Sequence, residues 1–267
     1  MALASDRPIP ACRFWTVFKR EVRHYAHSPS TYVAMSFFFL LAGSLFALIV
    51  ADFLELSQNI KKETLSTGDP VEANVTESVI SQLFLVLNFI FIFVAPMLTM
   101  RLISEEKRSG TFELLVSTPL GNWDIILGKY CAALAVGLKI LLLCLIYPII
   151  CSLYSDPEWP VVVSCFVGLG LILMAYTAFG LFASALSESQ IAAGIFSFVG
   201  LLLFYMVGML FKAGKLGLVG AALSLRQHSE NFTRGIILLE DVAYFAFFSL
   251  FFLFMSAQIL DARRWRA

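Results

Sequence analysis

The sequence predicts an all-α integral membrane protein, and three observations predict it. Hydrophobic residues make up 59% of the 267-residue chain and charged residues 14%, with a mean hydropathy of +0.83. Soluble domains run nearer about 45–50% apolar and ~25% charged, so one water-soluble core could not hide this surface. Six segments (31–52, 79–101, 126–152, 159–186, 190–211 and 240–260) each supply the roughly 20 mostly apolar residues that a spanning helix needs. Phe alone occurs 26 times, as expected where lipid is the solvent.

Ahead of the first span, the polar start of the chain has no apolar core of a cleavable leader. Residues 1–12 read as a loose tail. Over about 11–27, Phe14, Trp15, Phe18, Val22 and Tyr25 recur near helical spacing, with Lys19, Arg20 and Arg23 among them. That pattern predicts a basic amphipathic helix lying in the headgroup layer rather than a plain flank of the first span. Pro96 and Pro148 fall inside the second and third spans. Neighbouring helices can re-satisfy the carbonyl each one frees, so the count of six stands.

Lys and Arg in short flanking loops set the orientation. Arg7, Arg13, Lys19, Arg20 and Arg23 precede span one; Arg101, Lys107 and Arg108 follow span two; Arg263, Arg264 and Arg266 close the chain. The opposite loops carry Lys61 and Lys62 among several acids, or Asp156 and Glu158 without a base. Both termini and the loop after span two are therefore expected in the cytoplasm. The connection 212–239 falls on the outer side and resists this scheme, because it carries Lys212, Lys215, Arg226 and Arg234. Its apolar first half is too short to span. A half-depth re-entrant helix and an apolar surface loop both fit it.

Catalytic chemistry is not in view. His24, His27 and His228 are the only histidines, and the topology separates the last from the other two. Neither HExxH nor G-x-S-x-G occurs. Gly121 and Gly128-Lys129 have the wrong spacing for a phosphate-binding loop, and Tyr130 stands where Ser or Thr is required. The five cysteines include no CxxC pair and read as small apolar filler. Zero formal net charge argues for no nucleic-acid partner. Lys139 is the one base in the middle of an apolar span, where a charge marks a functional hypothesis. It could line a polar path between helices, pair with Asp52 or Glu188, or snorkel.

The one long charged stretch between apolar segments is MRLISEEKRSGTFELLVSTPLGNWDIILGK, Met100 to Lys129. Ser104 is expected to cap a helix whose first turn holds Glu105 and Glu106. Lys107 and Arg108 follow, and Gly110 is a natural break. Thr111 starts a second short piece in which Phe112, Leu115 and Val116 share a side, with Glu113 free for a polar contact. Thr118-Pro119 ends it. Asn122 is expected to cap the next helix, with Asp124 in its first turn. The loop 102–125 thus reads as a surface helix fixed at both ends to spanning helices, a lever for force from a soluble partner.

The run EEKRSGTFELLVSTPLGNWDIILGKY resembles the corresponding loop of ABC-2-type transporter permeases. The resemblance is carried by Glu106, Lys107, Arg108, Gly110, Thr111, Glu113, Leu114, Leu115, Thr118 and Pro119, then Trp123, Ile125, Ile126, Gly128 and Lys129. AYTAFGLFASALSESQIAAG and LSLRQHSENFTRGIILLEDVAYF extend it, and within the family the chain is most similar to the gliding-motility-type branch. The resemblance implies six transmembrane helices with an N-terminal elbow helix and a cytoplasmic coupling helix between spans two and three. It implies a bacterial inner-membrane exporter subunit that pairs with a second permease subunit and with a separate ABC ATPase, on which ATP and Mg bind. This chain itself would bind no cofactor and no metal and catalyse nothing. A non-transporting assembly platform, with a periplasmic partner on Glu55–Ser78 or Lys212–Glu240, is the alternative; a proton-coupled carrier ranks third.

Overall fold

The computed structural model describes residues 10–67, 76–110, 121–211 and 214–264. Among these residues every regular element is helical. Helix α1 (Pro10–His27) precedes α2 (Pro29–Thr67), and a π turn (Thr76–Ile80) leads into α3 (Ser81–Thr99) and the short α4 (Ser104–Arg108). Then come α5 (Asn122–Leu143), α6 (Ile146–Ser152), α7 (Trp159–Leu186), α8 (Gln190–Leu210), α9 (Gly214–Leu223), α10 (Leu225–Thr233) and α11 (Leu239–Arg264). Six stretches are long and apolar enough to cross a membrane: Thr31–Ile60, Ser78–Arg108, Asn122–Ser152, Trp159–Leu186, Gln190–Leu210 and Leu239–Ala262. The expected six spans are there.

Two spans differ from the expectation in a way that backbone chemistry explains. The apolar run of the first span ends near residue 52, yet α2 continues to Thr67, 39 residues in all. At about 1.5 Å per residue that is about 58 Å, well beyond a hydrocarbon core of ~30 Å. Leu, Glu, Gln and Lys dominate its last turns, and no Gly or Pro interrupts them before Gly68. The third span is broken at 144–145, four residues ahead of Pro148. Proline has no N–H for the carbonyl of Cys144 and its ring crowds that carbonyl. The Tyr147 amide takes the Cys144 carbonyl instead, at 3.1 Å.

Helix α7 is the centre of the bundle and packs against α3, α5, α8, α10 and α11. Its Tyr176 is fully buried and donates to Asn88 Oδ1 on α3 at 2.8 Å. Ser249, Ser256 and Thr177 donate to carbonyls four residues back, the usual way a hydroxyl is satisfied inside a membrane helix. Two-thirds of the second span's most apolar stretch is buried, against 22% for the first span and 17% for the fifth. Spans one and five are therefore the ones left most open to lipid or to another subunit. The cysteines at 131, 144, 151 and 165 are free thiols within or beside the spans.

Small residues let α7 approach its neighbours closely, but unequally. A Cβ on Gly180 would stand 2.0 Å from Thr99 Oγ1, whereas one on Gly170 would meet nothing nearer than Leu138 Cδ2 at 3.9 Å. Overpacking costs about 1–3 kcal/mol, while removing a helical glycine gains up to ~1 kcal/mol. Thermal unfolding in detergent should show a lowered midpoint for Gly180→Ala and an unchanged or raised one for Gly170→Ala. The reverse order would contradict this packing.

Candidate functional site

Helix α1 crosses the first turns of α5, and the crossing is close because residue 128 is glycine: a Cβ there would lie 2.7 Å from Val17 Cγ1. The side of α1 turned inward carries Phe14, Val17, Phe18, Glu21, Val22 and Tyr25, one stripe at helical spacing. Trp15 is half exposed on the other side, stacked on Phe18 at 5.1 Å with Lys19 Nζ 5.4 Å from its ring. The stripe therefore includes a carboxylate where an apolar residue would be expected.

Glu21 meets Lys129, the residue after the crossing glycine. Lys129 is 1% exposed and donates to Glu21 Oε1 at 3.1 Å and to Glu106 Oε1 at 2.9 Å. Arg20 reaches the same two oxygens from the open side, at 2.9 and 3.2 Å. Two cations and two anions alternate, so the node is neutral and each buried charge has opposite charges beside it. A lysine ammonium this buried would otherwise lose several kcal/mol of hydration. Burial by itself would push the Glu21 carboxyl up. The Lys129 ammonium and the Arg20 guanidinium outweigh it and hold the group below its ordinary 4.5.

The node joins three separate pieces of chain: α1 through Glu21 and Arg20, α4 through Glu106, and α5 through Lys129. Tyr25 adds a fourth contact, donating to the Leu98 carbonyl near the end of α3 at 2.6 Å. Its hydroxyl is pushed far above the ordinary phenol range, first by burial and then by Glu21. Glu106 is carried by the turn after α3, and that turn is itself fixed. The Ile103 and Ser104 amides, which α4 leaves without helical partners, both donate to Ser184 Oγ at the end of α7, at 3.0 and 3.1 Å. Lys107 Nζ donates to the Ala185 carbonyl and, at 3.3 Å, to that of Ser187, so it caps the last carbonyls of α7.

Several expected roles shift. Ser104 does not cap α4; its hydroxyl donates back to the Met100 carbonyl, and Ser184 supplies the cap from another helix. Asn122 is the first residue of α5 rather than its cap. Gly121 holds that place, its amide donating to Asp124 Oδ2 at 3.3 Å, and Asn122 Nδ2 donates to Asp261 on α11. Gly110 has φ +69°, the left-handed conformation that breaks a helix, as expected. Glu105 lines a cavity of about 260 Å³ beside the node, with His24 and Arg101, and Arg108 is exposed. Thr111, Phe112, Glu113, Leu114, Leu115, Thr118 and Pro119 lie outside the described residues, so the second half of the expected lever does too.

Lys139 is exposed on the outer side of α5, between exposed Leu138 and Leu142. It makes no ion pair among the described residues, with Asp52 or Glu188 or any other acid. Within one chain it is therefore not a between-helix residue. No group of three His, Cys, Asp or Glu able to hold a metal occurs among the described residues.

A second polar cluster sits at the other end of α11, about 30 Å from Asp261 at the helical rise. Asp241 accepts from Asn231 Nδ2 at 2.8 Å and lies 2.7 Å from His228 Nδ1, whose ring stacks on Tyr244 at 4.0 Å. Ser229, between His228 and Asn231 on α10, accepts from Asn88 Nδ2 at 3.2 Å. Asn88 is ten residues into the second span, about 15 Å along it.

The depressed Glu21 carboxyl fixes a sign. Its contribution to stability is complete above 4.5 and is lost as pH falls through the lower folded value. Between neutral pH and values below 4.5, the wild-type unfolding midpoint should fall further than that of Glu21→Gln. Parallel curves would remove Glu21 from the node's energetics.

Residues 15–238 match the family described as ABC-2 family transporter protein. No curated protein matches the chain. The match spans most of the sequence, from α1 to the segment before α11, and includes every residue of the node. With six apolar helices in the fold, the chain belongs to the ABC-2 family of transporter proteins and is a multi-pass membrane permease of an ABC transporter.

Proposed function

We propose that this permease receives the work of ATP hydrolysis through the loop 102–125 and passes it to the spans as movement of one rigid unit. The observation that carries the proposal is the neutral charge node, which fastens the start of that loop to α1 and α5 at one point. Lys107 and Ser184 add α7, and Asn122 ties the other end of the loop to α11. A push on residues between Gly110 and Gly121 would therefore act on several spans together. The family implies an ABC ATPase as partner, and Glu105, Glu106, Lys107, Arg108, Gly110 and the segment Thr111–Pro119 are the surface we assign to it. ATP and Mg would bind on that ATPase, not on this chain.

The same reading makes the protein an exporter subunit of the bacterial inner membrane, with both termini and the loop in the cytoplasm. The excess of Lys and Arg at the node end supports that orientation. Two copies, or this chain and a related one, would meet through the thinly covered spans one and five. Lys139 would line a pathway only where a second subunit covers its side of α5. Helices α9 and α10 would form a re-entrant pair; the contact of Ser229 with Asn88, about 15 Å into the second span, supports that depth.

One observation favours a second reading, a force-transmitting platform of the gliding-motility type. Helix α2 continues as a rigid post to Thr67, past the end of its apolar run, where an outer partner could be moved by it.

Coupling requires that the states of the ATPase differ in contact free energy at the loop. Glu106→Lys would put a third cation into the node, and Gly110→Pro would force a negative φ where +69° is needed. With the cognate ATPase in proteoliposomes, each variant should insert normally but cut permease-stimulated ATPase activity by about tenfold, a typical coupling factor. Wild-type stimulation in both would remove this loop from the coupling path.

A further inference from the structure

Beside the node, the hinge between α1 and α2 holds an open pocket of about 580 Å³, lined by Arg20, Arg23, His24, His27, Ser28 and Pro29. The lining is one-sided: two guanidiniums, two imidazoles and a hydroxyl, and no carboxylate. Of the acids close by, Glu21 and Glu106 face into the node, where each accepts from both Lys129 and Arg20, and Glu105 lines the neighbouring cavity with His24 and Arg20. Arg23 and His24 make no side-chain hydrogen bond or ion pair among the described residues. Arg20 is shared with the node, so Arg23 carries the uncommitted guanidinium of the lining, and its fork suits an oxyanion with several acceptor oxygens.

Its depth narrows the source. The pocket closes at Pro29, two residues before the apolar stretch of the first span begins at Thr31. Tyr32 is 57% exposed just inside that boundary, its hydroxyl donating to the Ala26 carbonyl at 2.8 Å, and Trp15 is half exposed along α1. Half-exposed aromatics of this type mark the headgroup level of a bilayer. We propose that the pocket binds the phosphate of an anionic phospholipid headgroup, and that this lipid seats the α1–α2 hinge against the membrane next to the charge node.

The test uses the full-length chain in detergent, titrated with phosphatidylglycerol or phosphatidylcholine and read by native mass spectrometry as lipid bound per protein. Phosphatidylglycerol should bind and phosphatidylcholine should not. Arg23→Gln should weaken phosphatidylglycerol binding about fivefold, the effect of one basic residue at an anionic lipid. Lys19→Gln, which removes the same charge outside the pocket, should leave it unchanged. Inorganic phosphate is added as competitor: displacement of the lipid identifies a site for the phosphate group from either source, and no displacement identifies one that needs the whole lipid. Equal binding of the two lipids, or equal losses in Arg23→Gln and Lys19→Gln, would overturn the proposal.

Discussion

A lysine buried at a helix crossing sets the terms for this end of the molecule. Lys129 cannot stay charged and dry without carboxylates, and neither Glu21 nor Glu106 could be as buried as it is without Lys129. Removing Lys129 leaves two carboxylates sharing the half-exposed Arg20, and breaking a buried pair in this way costs about 3–5 kcal/mol. The partners come from three elements, so the requirement to neutralise one ammonium becomes a requirement that α1, α4 and α5 keep a fixed arrangement. Gly128 makes this possible by letting α1 approach until Glu21 reaches Lys129.

The rest of the loop's framework follows from backbone groups that α4 and α7 leave unsatisfied. A helix of five residues has more orphan amides than it can use. Ser184 accepts two of them, and Lys107 donates to the carbonyls at the end of α7 in return. Reciprocal capping of this kind joins the ends of two helices without a large apolar contact. At the far end of the bundle the polar groups are used differently. There, Asn88 and Asp241 hold α10 inside the bundle and next to α11. Each end of the bundle thus has its own polar fastening, and the apolar middle, centred on α7, connects them.

The six spans were legible because membrane thickness demands long apolar runs, and such runs cannot be mistaken for anything else in a chain with 14% charged residues. The basic amphipathic helix and the break at Gly110 were legible from spacing and residue type. The length of α2 was not, since hydropathy reports where lipid ends and not where a helix ends. The break before Pro148 was visible only as a tolerated proline. The node was hidden for another reason: Arg20 and Glu106 are 86 positions apart and Lys129 and Glu21 are 108 apart. In the sequence the α1 stripe stands out by its aromatics, and Gly128-Lys129 only as a failed phosphate-loop match. A carboxylate at a stripe position, Glu21, was the available signal. The role of Ser184 was not legible, because a hydroxyl's partners cannot be inferred from its own helix.

The central claim is that α1 and the start of the loop move as one body because the node joins them. Pulsed electron–electron resonance between spin labels at Lys19 and Ser109 tests it most directly, with the cognate ATPase trapped nucleotide-free and then ATP-bound. A narrow distance distribution that is the same in both states is predicted, together with a broadened one in Lys129→Met. A wild-type distance that shifts between the two states, or that is indifferent to the loss of Lys129, would contradict the account.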